Sequence, residues 1–156
     1  MSDLERFITE SNHIEGLGKA TPGEVAVAGW FMNRAEITLE TLNAAQAVFA
    51  PGKPLRNRPD MNVRVGKYVA PQGGKSLVAA LTSILTAVHQ TSDPWRTHVD
   101  FEMLHPYLDG NGRTGRILWA WHMRRLGRDP FALSFLHRFY YDTLAHSKFS
   151  SDLCAT

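Results

Sequence analysis

The sequence predicts a mainly helical, all-α type of fold, a compact bundle with one small β-hairpin. Three observations carry that prediction. Helix-start signals recur along the chain, with Ser, Thr or Asp standing just before Pro or Glu. Between them, apolar residues return at three- and four-residue spacing. Only one stretch, Val63 to Val69, alternates as an extended segment does.

Ser2 and Glu5 fit a capping box, and Leu4, Phe7 and Ile8 give the first helix an apolar side up to Ile14. Gly16-Leu17-Gly18 then reads as a loop. Thr21-Pro22-Gly23-Glu24 opens a second helix whose buried face is expected to hold Val25, Ala28, Trp30 and Phe31. A third starts near Thr38 with Leu39, Leu42, Ala45 and Phe49. Pro51 to Asp60 holds three prolines and a glycine among basic residues and reads as an irregular loop. Val63-Arg64-Val65-Gly66-Lys67-Tyr68-Val69 follows as a hairpin bent at Gly66. Leu77, Leu81, Ile84, Leu85 and Val88 mark a core helix. Asp93-Pro94 opens another, through about Leu104, and Ile117 to Trp121 belongs to a helix that ends at Gly127. Asp129-Pro130 is expected to start a last helix with Phe131, Leu133, Phe135, Leu136, Phe139 and Leu144.

The chain has 156 residues, 44% of them hydrophobic and 21% charged, which suits one compact domain with its own core. A formal charge of +2 with scattered basic residues argues against nucleic-acid binding. The single cysteine, Cys154, excludes an internal disulfide and favours a reducing compartment. The start of the chain lacks the basic-then-apolar order of a secretory signal, and no apolar run approaches the roughly 18 residues of a membrane span. These readings lead to the expectation of a cytoplasmic protein without membrane contact.

Chemistry concentrates in His105-Pro106-Tyr107-Leu108-Asp109-Gly110-Asn111-Gly112-Arg113-Thr114-Gly115-Arg116. His105 can take a proton near neutral pH, and Asp109 offers hard oxygen to a magnesium ion. The glycines let backbone N–H groups approach an anion, and Arg113 and Arg116 bring forked cationic donors. The apolar run that follows places the loop at a helix N-terminus, where anions are favoured. Two lookalikes fail. Gly110-x-Gly112-x-x-Gly115 lacks the preceding strand of a dinucleotide site, and Gly74-Lys75-Ser76 has Val69 where a P-loop needs glycine. The seven histidines contain no pair at metal-ligand spacing, so His89, His98, His122, His137 and His146 read as packed or hydrogen-bonded side chains. Trp119, Trp121, Phe139, Tyr140 and Tyr141 read as core.

The twelve residues resemble the signature of the Fic (filamentation induced by cAMP) family, His-x-Phe-x-Asp/Glu-Gly-Asn-Gly-Arg-x-x-Arg, with Tyr107 for Phe as the one departure. His98-x-x-Phe101-Glu102 resembles the family's approach helix, and Val63 to Pro71 its flap. The likeness spans about residues 11–126. It implies a single Fic domain over 1–156, with a catalytic core over 19–147. It further implies transfer of AMP from ATP to a Ser, Thr or Tyr hydroxyl of a target protein. His105 is the implied base and Asp109 the implied Mg²⁺ ligand. Gly110, Asn111 and Gly112 would cradle phosphates, Arg113 the leaving pyrophosphate and Arg116 the γ-phosphate. The flap, Val63, Arg64, Val65, Gly66, Lys67, Tyr68 and Val69, would dock a target segment, including self-modification.

Ser11-Asn12-His13-Ile14-Glu15-Gly16 resembles the family's inhibitory pattern, Ser/Thr-x-x-x-Glu-Gly/Asn, within a helical segment over 1–18. A Glu15 carboxylate paired with Arg116 would stand in the γ-phosphate's place. Two alternatives accompany this reading. Glu15 could orient water to remove AMP from a modified protein, or the chain could be a nucleotide-responsive binding module without turnover. The intact loop disfavours a phosphotransferase, and a mere binder has no use for His105.

Overall fold

A computed structural model of the chain describes residues 1–135, 138, 139, 142 and 143. Among the described residues the elements are α1 (Asp3–Ile14), α2 (Pro22–Met32), α3 (Leu39–Phe49), β1 (Arg64–Val65), β2 (Tyr68–Val69), α4 (Lys75–Gln90), α5 (Pro94–Leu104) and α6 (Asn111–Arg125). The predicted start signals form as hydrogen bonds. Ser2 Oγ accepts from Glu5 N–H at 3.1 Å, Thr38 Oγ1 from Thr41 N–H at 3.1 Å, and Asp93 Oδ1 from Arg96 N–H at 3.1 Å. Thr21 and Glu24 complete a reciprocal capping box. Each bond satisfies a donor that the first turn leaves without an intrahelical partner.

The bundle is arranged around α6. Every other helix packs on it, and 12 of its 15 residues are buried. Trp119 and Trp121 are core residues, as the sequence implied. The histidines His89 and His122 sit in hydrogen bonds: His122 Nε2–H donates to Thr91 O at 2.8 Å while Nδ1 accepts from Thr97 at 2.9 Å. His89 Nε2 accepts from Ile37 N–H at 3.1 Å. The hairpin is short, with Arg64 opposite Val69 and Val65 opposite Tyr68 around a turn at Gly66, where φ is 58°. Tyr68 donates its hydroxyl to Met103 O at 2.6 Å and so ties the hairpin to α5. No helix of the described residues is long and apolar enough to cross a membrane.

Two expectations are corrected. Trp30 lies outward at 39% exposure, with the Arg34 guanidinium 5.2 Å above its ring, and Met32 and Glu24 join Ala28 and Phe31 on the buried face of α2. This helix is apolar on most sides, so its inward face is set by α3 and α6 and not by its own pattern. Asp129-Pro130 does not begin a helix. Asp129 Oδ1 accepts from Phe131 N–H at 2.8 Å, a bond two residues on that favours a turn over an N-cap. Residues 130–133 form turns and bends, and helical geometry begins at Phe135. Leu136, His137, Tyr140, Tyr141, Leu144, His146 and Cys154 lie outside the described residues.

Helix α1 is attached through Phe7. Its ring lies 6.5 Å from Trp119, 5.3 Å from Phe131 and 4.5 Å from Phe135, centre to centre. Phe7→Ala empties that aromatic cluster and should destabilise the protein by about 3–5 kcal/mol in urea unfolding.

Candidate active site

The segment between α5 and α6 is shaped from both ends. His105 ends α5 in the left-handed region (φ 51°, ψ 61°), a conformation rare for a residue with a side chain. Asn111, the first residue of α6, folds its amide back over the segment. Its Oδ1 accepts from Tyr107 N–H at 2.8 Å, and its Nδ2 donates to Tyr107 O at 2.8 Å. Tyr107 is fully buried and donates its hydroxyl to Asn43 at 2.6 Å. Its main chain pairs with Leu55 as an isolated bridge, and Gln46 Nε2 holds Asp109 O at 3.0 Å. Gly110 is needed for two reasons: its φ is 77°, and a Cβ there would lie 2.7 Å from the Ala50 methyl.

Among the described residues no side chain caps the N-terminus of α6. Its leading N–H groups are therefore an anion-binding surface in waiting. Asp109 is exposed beside it, with Oδ1 accepting from Gly110 N–H at 2.7 Å. His105 is half-buried. Burial is the main cause that holds its imidazole below the ordinary 6.5, helped by the charge of Arg56 and opposed by a hydrogen bond with the Glu102 backbone, Asp109 and Glu15. Near neutrality it is an unprotonated base.

The two arginines are buried but differently engaged. Arg113 donates to Phe49 O and lies 4.0 Å from Glu24, and its buried Nε has no partner. Arg116 reaches across to α1. Its Nε donates to Ser11 Oγ at 2.7 Å, and its Nη2 donates to Ser11 O at 2.9 Å and to Glu15 Oε1 at 2.7 Å. Ser11 O is one of the carbonyls that the end of α1 leaves open, so the guanidinium caps that helix while pairing with its last acid. The Glu15 carboxylate also lies against the first turn of α6: a Cβ on Gly112 would be 2.2 Å from its Oε1.

Residues Val63 to Val69 form the hairpin, held to α5 by Tyr68, with Val65 and Val69 exposed on it. Three site residues went unmarked in the sequence. Glu24 accepts from Asn12 Nδ2 at 2.9 Å beneath Arg113, Gln46 holds the loop, and Arg56 is wholly buried under His105. Nothing in a single sequence sets Arg56 apart from Arg58 two positions on, which is exposed.

The family model of the Fic/DOC family matches residues 36–123, more than half of the chain. The chain belongs to the Fic/DOC family. Among solved structures, it resembles a Fic domain containing signaling protein from Bacteroides thetaiotaomicron, at TM-score 0.56 and 18% identity over 80% of this chain. That likeness concerns the fold alone, and this chain spans 63% of the other.

In this Fic chain the donor set at Asp109 is one hard carboxylate beside uncapped N–H groups. That fits Mg²⁺, which keeps several waters and binds mostly through substrate phosphates. Among the described residues no group of three or more His, Cys, Asp or Glu could hold a metal by itself.

Glu102 and His98 sit behind Arg116. Burial is the chief cause that raises the Glu102 carboxyl to about 7, with Glu15 adding to the rise and Arg116 opposing it. Burial likewise lowers His98 to about 4, so their 4.0 Å approach is not an ion pair near neutrality. Because the folded state holds the Glu102 proton more tightly than the unfolded chain, this group's contribution to stability falls as pH rises from 4.5 to about 7, while His98, held at about 4, contributes the opposite slope up to 6.5. Glu102→Gln should leave the His98 contribution unopposed, so thermal melts across this range should show stability rising more steeply with pH than in the wild type, and an unchanged slope would count against the assignment.

Proposed function

We propose that this Fic-family chain is a protein adenylyltransferase that holds itself off through Glu15. One observation carries the reading: Arg116, which lies in the second turn of α6 and not in a loop, is paired with Glu15 against the uncapped start of that helix. A carboxylate rests where an anionic phosphate would be drawn, and two anions cannot share one guanidinium and one helix end without strong repulsion.

In the proposed reaction the hydroxyl of a target Ser, Thr or Tyr attacks the α-phosphorus of ATP. The new O–P bond forms as the bond to the β-phosphate oxygen breaks, and pyrophosphate leaves. The hydroxyl proton passes to His105, a step worth about 10²–10⁴-fold. Backbone N–H groups of Asn111 and Gly112 donate to phosphate oxygens, that of Gly110 joins them once Asp109 releases it, and Arg113 supplies positive charge beneath that turn. Mg²⁺ held through Asp109 would neutralise phosphate charge. Arg116, once free of Glu15, takes the γ-phosphate. The target protein would add an extended segment to the exposed hairpin by main-chain pairing, a mode that also admits self-modification.

A second reading, removal of AMP from a modified protein, draws on the 39% exposure of the Glu15 side chain, which leaves it within reach of water. It requires AMP release that depends on Glu15.

With α-labelled ATP and magnesium, Glu15→Gly should raise labelling of the chain or of lysate proteins at least tenfold. His105→Ala in that background should abolish it, and labelling that persists without His105 would sink the mechanism. A further consequence concerns pH. Since burial holds the imidazole below 6.5, transfer by Glu15→Gly should keep more than half of its plateau rate at pH 6.5. A decline already complete at pH 6.5 would show that the base titrates higher than its surroundings imply.

A further inference from the structure

Arg56 is the largest fully buried side chain described, and it has no carboxylate partner among the described residues. A buried cation without a counter-ion is unfavourable unless its donors are met. Here carbonyl groups meet them. Nε donates to His105 O at 2.8 Å and Nη2 to Leu104 O at 3.0 Å. Nη1 donates to Met61 O at 3.1 Å and to Pro71 O at 2.7 Å. The first pair are carbonyls at the end of α5, where the helix dipole favours a cation. The second pair lie just before β1 and just after β2, at the two feet of the hairpin. The Arg56 main chain adds two bonds, from its N–H to Pro106 O at 2.9 Å and from Gly74 N–H to its carbonyl at 2.9 Å.

One guanidinium thus joins the residue in the base position to both feet of the hairpin. The joint is also close-packed: a Cβ on Gly73 would lie 2.4 Å from Arg58 O and 2.6 Å from Met61 O. His105 needs such support, because its left-handed backbone is not one a histidine adopts freely. We propose that Arg56 is a positioning residue that locks His105 and the hairpin into one rigid unit, so that a hydroxyl presented on the hairpin arrives in register with the base. The proposal rests on the reading of His105 as base and of the hairpin as docking strand. In transfer chemistry a displacement of about 1 Å is worth roughly 10²-fold. A joint that fixes two separate segments by four bonds is suited to prevent it. Its charge also contributes to keeping His105 unprotonated.

Two variants separate positioning from simple support. Arg56→Lys keeps the charge but loses the fork, so it cannot reach both helix end and hairpin feet. In the Glu15→Gly background it should fold cooperatively, lower the transfer kcat roughly 10²-fold, and leave the KM for ATP unchanged. Hydrogen exchange should show the Ala70 amide, which donates to Val63 O, at least tenfold less protected. Arg56→Met removes the charge, and NMR titration should find the His105 ring at a higher pKa than in the parent. Hydrogen exchange and titration need no nucleotide, so they judge the proposal even if no transfer is ever detected. Unchanged Ala70 protection in Arg56→Lys would overturn it whether or not transfer is measured, and so would an unchanged kcat. So would failure of both variants to fold, which would make Arg56 a residue of the fold and not of the site; if only Arg56→Met unfolds, the Arg56→Lys comparison decides.

Discussion

The start of α6 is the constraint on which the rest of the structure turns. A helix buried on nearly all sides has to begin somewhere, and this one begins at Gly110 without a side-chain cap. Its leading N–H groups and its dipole call for an anion. The carboxylate of Glu15, brought in at the end of α1, stands against that first turn and is held there by Arg116. The position of α1 in turn depends on an aromatic cluster around Phe7 and on the bonds of Ser11 and Asn12. Packing, capping and occupancy of the site are therefore one problem with one solution.

Three buried arginines hold the ends of helices in this architecture: Arg113 caps α3 through Phe49 O, and the other two make the sharper contrast. Arg116 caps α1 through Ser11 O, and Arg56 caps α5 through Leu104 O and His105 O. The difference lies in what else each one holds. Arg116 has an acid that, in the proposed mechanism, gives way to a phosphate, which would make its contact exchangeable. Arg56 has only carbonyl groups, which cannot leave, so its contact is permanent. An exchangeable arginine suits control, and a fixed one suits alignment.

Most of the helices were legible because their signals are local. Thr21, Thr38 and Asp93 cap the turns they precede, and Val63 to Val69 alternates where the hairpin forms. The loop residues from His105 to Arg116 were legible because they are contiguous. Glu15 became legible only beside that loop, through its six-residue pattern. What stayed hidden depends on distant partners. Arg56 draws its meaning from carbonyls as far as 49 positions away, and Gln46 from Asp109 63 positions away. Trp30 looked like core because apolar residues surround it in sequence, yet α3 and α6 choose the inward face. Asp129-Pro130 carried a helix-start signal, but the Asp side chain closed a turn onto Phe131 instead.

The central claim is that Glu15 and the γ-phosphate compete for Arg116. The most direct measurement is a pair of crystal structures with magnesium and a non-hydrolysable ATP analogue, one of the wild type and one of Glu15→Gly. A γ-phosphate in salt-bridge contact with Arg116 is expected in the variant, and one excluded from it in the wild type while Glu15 stays paired. A wild-type complex in which Arg116 holds both Glu15 and the γ-phosphate would contradict the claim.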